Sequence, residues 1–353
     1  MAGFQGRGAL GNPAPRFVRH ETESIEDGWY REELPPSIAT QVLPEPARSI
    51  ISRNESPDVP FEQSINPYRG CEHGCIYCYA RPSHAYLDLS PGLDFETRIF
   101  YKADAARLLE AELAKPGYRV KPITIGANTD PYQPLERDLR VTRSLLEVMA
   151  RTRHPVSLIT KGTLILRDMD LLGALASQRL VHVYVSITSL DAELKRTLEP
   201  RAASPQARLR VVRQLSAAGI PTGVLVAPII PAVNEAELEG IVEAVAACGA
   251  QRAGYVLLRL PHELKALFRE WLQQHLPERA EHVMSLLRAA RGGQDNDPRF
   301  GSRMTGSGAW AQLLRDRFAL ACRRHGLSER GTQSLDCKQF MPPRSDAQLA
   351  LPW

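Results

Sequence analysis

The chain predicts an α/β fold whose parallel sheet bends into a partial (β/α)6 barrel of the TIM type. Three observations carry that expectation. Short, mostly apolar runs alternate with helical stretches through the middle of the sequence, the pattern of βαβ units joined by right-handed crossovers. Counting one strand just before Cys71, about six such units are present, short of the eight that close a full barrel. Polar residues recur just past the apolar runs, where parallel βα architectures gather their functional groups.

Taken in order, residues 1–48 contain Gly and Pro without helical or strand periodicity and read as a loosely draped arm. Its Arg7, Arg16, Arg19 and His20 are expected to be solvated. The core is expected over residues 49–275. Lys102 to Lys115 carries Ala105, Leu108, Leu109, Glu112 and Leu113 at helical spacing, and Pro116-Gly117 ends that helix. Val120 to Ile125 reads as a buried strand. Helix Glu136–Arg151 then precedes strand Val156–Thr160, and helix Asp168–Ser177 precedes strand Val181–Ile187. Helices Asp191–Leu198 and Pro205–Ala218 lead to strand Thr222–Ala227. Helix Glu235–Cys248 leads to strand Gly254–Leu258 and helix His262–His275. Residues 276–353 form a helical and irregular C-terminal extension, with helices at Arg279–Arg291 and Ala309–His325 around a Gly-rich segment.

Composition narrows the class. A chain of 353 residues, 43% hydrophobic and 24% charged, has the make-up of a globular protein able to bury a large core. The stretch Met1–Arg7 lacks the apolar region of a signal peptide, and no apolar run approaches the roughly 18 residues that span a bilayer. A cytoplasmic, membrane-free protein is expected. Six cysteines in a chain this long do not make a disulfide scaffold, and a net charge of +4 does not by itself imply nucleic acid.

Cysteine spacing is the sharpest signal. Cys71, Cys75 and Cys78 form a CxxxCxxC motif within Cys71-Glu72-His73-Gly74-Cys75-Ile76-Tyr77-Cys78, so three sulfurs can converge on one centre from a short loop. Thiolates select iron–sulfur clusters, zinc or Cu(I), and three ligands leave a position open where a structural site would be closed by four. His73 lies between the ligands and is read as hydrogen-bonded rather than ligating. Cys248 and Cys322 read as inert buried thiols, and Cys337 is the one other cysteine with scope for reactivity. The residues at the strand ends are Asn128, Thr129 and Asp130, then Lys161, then Ser186, Thr188 and Ser189, then Pro228 and Arg259.

With Tyr77 inside it, this motif resembles the cluster loop of the radical S-adenosylmethionine (SAM) superfamily. The words Asn66-Pro67-Tyr68-Arg69-Gly70, Ala127 through Pro134 and Lys161-Gly162-Thr163 resemble its spore photoproduct lyase-like branch, from about Ser49 to about Pro343. The resemblance implies a [4Fe-4S] cluster on Cys71, Cys75 and Cys78, with SAM chelating the open iron through its amino and carboxylate groups. It places Asn128, Thr129 and Asp130 at the element that binds the SAM ammonium, although the usual Gly-Gly pair is missing. Lys161, Ser186 and Thr188 are implied as further SAM contacts, Tyr79 as a stacking or shielding aromatic, and Tyr77 as a catalytic candidate. Arg201 is a candidate for the same pocket.

The implied chemistry is reductive. An external one-electron reductant of the flavodoxin or ferredoxin type reduces the cluster, SAM is cleaved to a 5′-deoxyadenosyl radical, and the radical abstracts hydrogen from substrate. Lyase-type DNA repair follows less readily, because spore photoproduct lyases use a further cysteine as hydrogen donor and this chain has none between Cys78 and Cys248. DNA or RNA stays open as substrate through the arginines at 137, 140, 143, 151 and 153 and at 201, 208, 210 and 213, which otherwise read as solvated helix faces. The alternative is a nucleic-acid-binding or metal module without radical catalysis, with zinc or a cluster on the three cysteines and His73 or Cys337 as fourth ligand.

Overall fold

A computed structural model of the chain describes residues 6–17, 38–329 and 334–343. Its strands are β1 (Gln41–Pro44), β2 (Ser52–Arg53), β3 (Gln63–Ile65), β4 (Tyr68–Arg69), β5 (Arg98–Tyr101), β6 (Ile123–Ile125), β7 (Val156–Thr160), β8 (Val181–Ser186), β9 (Thr222–Ile229), β10 (Arg252–Leu257) and β11 (Ser328–Glu329). Among the described residues the larger sheet has the order β2-β3-β6-β7-β8-β9-β10-β11. Every pairing from β3 to β11 is parallel, and only β2 joins antiparallel. The six βα units read from the sequence are thus present as β3 and β6 to β10, in sequential order.

Val156, Leu158, Val181, Val183, Val185 and Val224 are fully buried, because helices cover the sheet and β-branched residues pack well on a pleated surface. Removing each such side chain from water contributes about 1.5–3 kcal/mol. Helix Val141–Thr152 meets the core through Leu145, Leu146 and Met149, spaced for one helical face.

The sheet curls. Six flat strands would spread their ends over about 24 Å at the usual spacing. Yet the ring of Tyr79, in the loop after β4, lies 5.5 Å from the guanidinium of Arg259, which follows β10. The Tyr79 hydroxyl also donates to the carbonyl of Ala127, which follows β6. One side chain therefore reaches both walls of the open barrel.

A second sheet has the order β1-β5-β4, with β1 parallel and β4 antiparallel to β5. It delivers the chain from β4 directly into Gly70 and Cys71.

Four differences from the sequence reading have physical causes. The first concerns the N-terminal arm: residues 6–17 are not loosely draped. The amides of Gly8 and Ala9 both donate to the Glu96 carboxylate at 2.9 Å. Arg7 donates to the Glu96 carbonyl at 2.8 Å and to the Ile38 carbonyl at 2.6 Å, and Arg16 pairs with Glu263 at 2.8 Å. These bonds use backbone amides and single charges, so no apolar period announces them. Arg19 and His20 lie outside the described residues.

Second, the stretch Glu136–Arg151 is two helices, Glu136–Leu139 and Val141–Thr152, broken at Arg140, whose φ is 52°. The Glu136 carboxylate accepts from the Thr142 amide at 3.0 Å, supplying the new helix start with a partner. Third, a segment beyond residue 275 joins the sheet, since β11 pairs with β10 through Arg252↔Ser328. Helix Gly308–Arg324 adds Leu314, Phe318, Ala321 and Cys322 to the main core. Fourth, Arg208 is 1% exposed, not solvated.

Candidate active site at the strand ends

The curled sheet encloses a cavity of about 410 Å³ at the C-terminal ends of its strands, within the usual range for small-molecule sites. Cys71, Cys75, Cys78, Tyr77, Tyr79, Asn128, Asp130, Lys161 and Ser186 all line it. Thr129 and Thr188, expected as direct contacts, do not. Their hydroxyls are already used: Thr129 donates to the Tyr68 carbonyl at 2.8 Å, and Thr188 bonds to Glu199 at 2.8 Å and the Ala227 carbonyl at 3.0 Å. Arg201 also stays out of the cavity and pairs with Glu72 at 3.1 Å.

The cysteine loop is held from several sides. Its amides at Gly74 and Cys78 turn back onto the carbonyls of Cys71 and Cys75 at 3.4 and 3.2 Å. Gly74 has φ 67°, and a Cβ there would sit 2.8 Å from Glu96 Oε2, so the turn requires glycine. Gln133 accepts from the Glu72 amide at 2.9 Å and donates to the Gly70 carbonyl at 3.3 Å. From below, fully buried Arg81 donates to the Cys75 carbonyl at 2.8 Å and pairs with Glu96. Burial pushes the Cys71 thiol well above its ordinary pKa, helped by the negative charge of Asp130 and the neighbouring cysteines. Burial likewise lifts Cys75 to about 12, with Glu199 adding to the effect.

Asp130 is a junction of the loops. Its carboxylate accepts from the Thr160 hydroxyl at 2.6 Å, the Tyr132 amide at 2.9 Å and the Lys161 amide at 2.7 Å, and lies 3.3 Å from His73 Nδ1. Burial by itself would raise this acid, but His73, Thr160 and the Lys161 amide hold it down to about 2. His73 also lines the cavity.

Behind the cavity runs a second charged network that the sequence reading did not find. Glu199 accepts from the hydroxyls of Tyr77 and Thr188 and pairs with Arg208, both of the pair being buried. Arg208 also donates to the Ser186 carbonyl at 3.0 Å and to the Ala203 carbonyl at 2.9 Å. Burial opposes the charge on Glu199, yet Arg208 and Lys161 hold its carboxyl down to about 2. Lys161 places its ammonium 5.8 Å from the Tyr77 ring centre, and Cys75 and Glu199 raise its pKa against the pull of burial. A signal for Arg208 was available. It falls in register with Val211, Val212 and Leu215 on the apolar face of helix Pro205–Ala217.

Cys248 and Cys322 are buried away from the cavity, and half-buried Cys337 does not line it. Among the other expected arginines, Arg143 pairs with Asp168 at 2.9 Å and Asp170 at 2.7 Å, and Arg151 pairs with Glu110. No helix among the described residues is long and apolar enough to cross a membrane.

A family model described as the radical SAM superfamily matches residues 65–245. An uncharacterised protein of Mycobacterium tuberculosis is 38% identical over 232 residues, covering 65% of this chain and 68% of its own length. Another, from Methanocaldococcus jannaschii, is 30% identical over 173 residues, covering 49% and 62%. Among solved structures, spore photoproduct lyase complexed with dinucleoside spore photoproduct aligns with a TM-score of 0.60 at 16% identity, covering 83% of this chain and 82% of that one. A mutant of the same lyase with bound AdoMet and the dinucleoside photoproduct gives 0.56 at 15% identity, with the same coverage. At these identities the likeness is one of fold.

Proposed function

Because this chain belongs to the radical SAM superfamily and is a radical SAM enzyme, we propose that Cys71, Cys75 and Cys78 hold a [4Fe-4S] cluster and that SAM binds beside it in the strand-end cavity. The observation that carries this reading is the shared lining. Two buried thiols, a half-buried third and the polar groups at the ends of β6, β7 and β8 border a single space.

The chemistry of the donor set fits a cluster: thiolates are soft ligands that iron–sulfur centres select, and three of them leave one iron of a cubane for SAM. When bound and reduced, this group supplies the electron that splits SAM into methionine and a 5′-deoxyadenosyl radical able to take hydrogen from a substrate.

The chain's own residues then position the cofactor. Lys161 offers a point charge to the SAM carboxylate, and Ser186 and Asn128 offer hydrogen-bonding groups. Tyr79 presents an aromatic face over the cavity. Asp130, saturated by its neighbours, orients the Lys161 backbone and His73 more than it receives a ligand. Tyr77, tied to Glu199, acts as a fixed wall beneath Lys161. Thr129 and Thr188 brace these groups from behind. An external reductant of flavodoxin or ferredoxin type supplies electrons. The substrate is an organic molecule that gives up hydrogen, with nucleic acid retained as a class. Lesion repair by the spore photoproduct lyase route is not proposed, since no cysteine lies between Cys78 and Cys248.

Anaerobic reconstitution with iron and sulfide, followed by dithionite and SAM, tests the reading. We expect about four irons per chain, the count of the cubane cluster, and formation of 5′-deoxyadenosine that stops when any one of Cys71, Cys75 or Cys78 is replaced by Ala. Zinc without iron or sulfide, or SAM cleavage surviving such a replacement, would refute it.

A further inference from the structure

The cavity contains a cation that the SAM reading leaves unused. Arg259 follows β10, and its guanidinium lines the cavity facing the ring of Tyr79 at 5.5 Å. Its Nε is buried with no hydrogen-bond partner, and the one acceptor within reach of its Nη1 is the sulfur of Met304 at 3.9 Å. Among the described residues it makes no ion pair.

Its neighbours show how unusual this is. Buried Arg81 pairs with Glu96, and buried Arg208 with Glu199. Arg303, on the same cavity wall, pairs with Asp58. Arg291, packed below, donates to the carbonyls of Ser302 at 3.1 Å, Arg303 at 2.6 Å, Leu257 at 3.2 Å and Leu258 at 2.7 Å. Each of these arginines is matched by acids or carbonyls at its terminal nitrogens, although the Nε of Arg291 is also without a partner. Arg259 is half-buried, with its Nε shut off from water and without such a match, an arrangement that an arriving anion would complete.

We propose that Arg259 is the receiving group for an oxyanion carried by the substrate, a phosphate ester or a carboxylate. A guanidinium presents a planar fork of donors that matches both. Asp58 already neutralises Arg303, so the surplus positive charge of this wall falls on Arg259. The sequence places Arg259 among the residues at the strand ends, and the structure sets it after β10, five strands along the parallel run from β3, the strand that precedes the cysteine loop. An anion seated there would hold the substrate beside the Tyr79 ring, in the cavity it shares with the groups assigned to SAM. The inference rests on the radical SAM reading only in taking the cavity as shared by cofactor and substrate.

Phenyl phosphate and benzoate, which differ in the oxyanion alone, make suitable probes. Their binding is measured by anaerobic equilibrium dialysis against the reconstituted protein, with and without saturating SAM. We expect the wild type to bind at least one of them with SAM present, and the preferred probe identifies the oxyanion. Arg259→Ala should weaken that binding about tenfold or more, and Arg259→Lys should restore part of it.

Thermal melting gives a second readout. A structural arginine lowers the melting temperature when removed, as we expect for Arg291→Ala. Arg259→Ala or Arg259→Gln should melt at or above the wild type, because an unmatched, half-buried charge is gone. Equal binding by Arg259→Ala, no binding of either probe by the wild type, displacement of the probe by SAM, or a melting loss like that of Arg291→Ala would each overturn the proposal. Formation of 5′-deoxyadenosine by the wild type is scored separately. Its absence alongside Arg259-dependent anion binding would remove the radical reading and leave the anion site standing.

Discussion

Replacing Arg208 by Met tests the network behind the cavity. The substitution keeps the apolar stem and removes the guanidinium, stranding a Glu199 carboxylate that is 2% exposed. Breaking one side of a buried ion pair costs about 3–5 kcal/mol, since the remaining charge is left uncompensated. The lowered Glu199 carboxyl points the same way, and Arg208 shares that lowering with Lys161 and the Tyr77 hydroxyl.

The sign over pH follows from the depressed folded value. The pair's contribution is fully present above about 4.5 and is lost as pH falls toward 2. Urea unfolding of the metal-free protein at pH 7 should therefore show a loss of about 3 kcal/mol at unchanged slope, narrowing as the pH is lowered below 4.5. Adding Glu199→Gln to the variant should recover part of the loss, because the stranded charge is then removed. A single variant within about 1 kcal/mol of the wild type, or a deficit that stays constant in acid, would refute the reasoning.

Two further expectations concern other parts of the molecule. Gly8→Val would place a Cβ 1.9 Å from the Gly74 carbonyl oxygen, so residues 6–17 should release their grip on Glu96. Trypsin should then cut the native protein at Arg7 or Arg16 at least about tenfold faster than the wild type, and equal protection would contradict the docking. His154 is fully buried, which lowers its pKa to about 4 from 6.5. Stability should therefore fall as pH drops from 6.5 toward 4, by up to about 3 kcal/mol from this residue, because the unfolded chain binds the proton first. His154→Phe should flatten that slope in urea titrations at pH 7 and pH 5; an unchanged slope would assign it elsewhere.

Much of the fold was legible because burial and period coincide. Val156–Thr160 is a strand as read, since its inward residues are apolar and its ends are marked. Helix Pro205–Ala217 starts where Ser204 caps it, its hydroxyl accepting from the Ala207 amide at 3.2 Å. Breaks and attachments made by single polar side chains left no such trace. A single carboxylate, that of Glu136, supports the interruption at Arg140, and those of Glu96 and Glu263 hold residues 6–17; lone acids of this kind carry no period in the sequence.

The cavity lining was legible in the same uneven way. Strand ends gave Asn128, Asp130, Lys161 and Ser186, because position in a parallel sheet selects them whatever their neighbours. That rule says nothing of side-chain direction, so it also selected Thr129 and Thr188, which turn away. Arg208 was misread because its charge outweighed its register; on the apolar face of its helix, a charge has to be paired.

The anchoring of residues 6–17 also orders events in time. Gly8 is held by a residue 88 positions later, and Arg16 by one 247 positions later. At translation rates of about 5–20 residues per second, roughly 12 to 50 seconds separate the synthesis of Arg16 from that of Glu263. Residues 6–17 therefore cannot be fully fastened until Glu263 has been made. The cover of the cysteine loop closes earlier: Gly8, which lies against Gly74, can dock as soon as Glu96 is made, while the rest of the segment still waits for its second anchor.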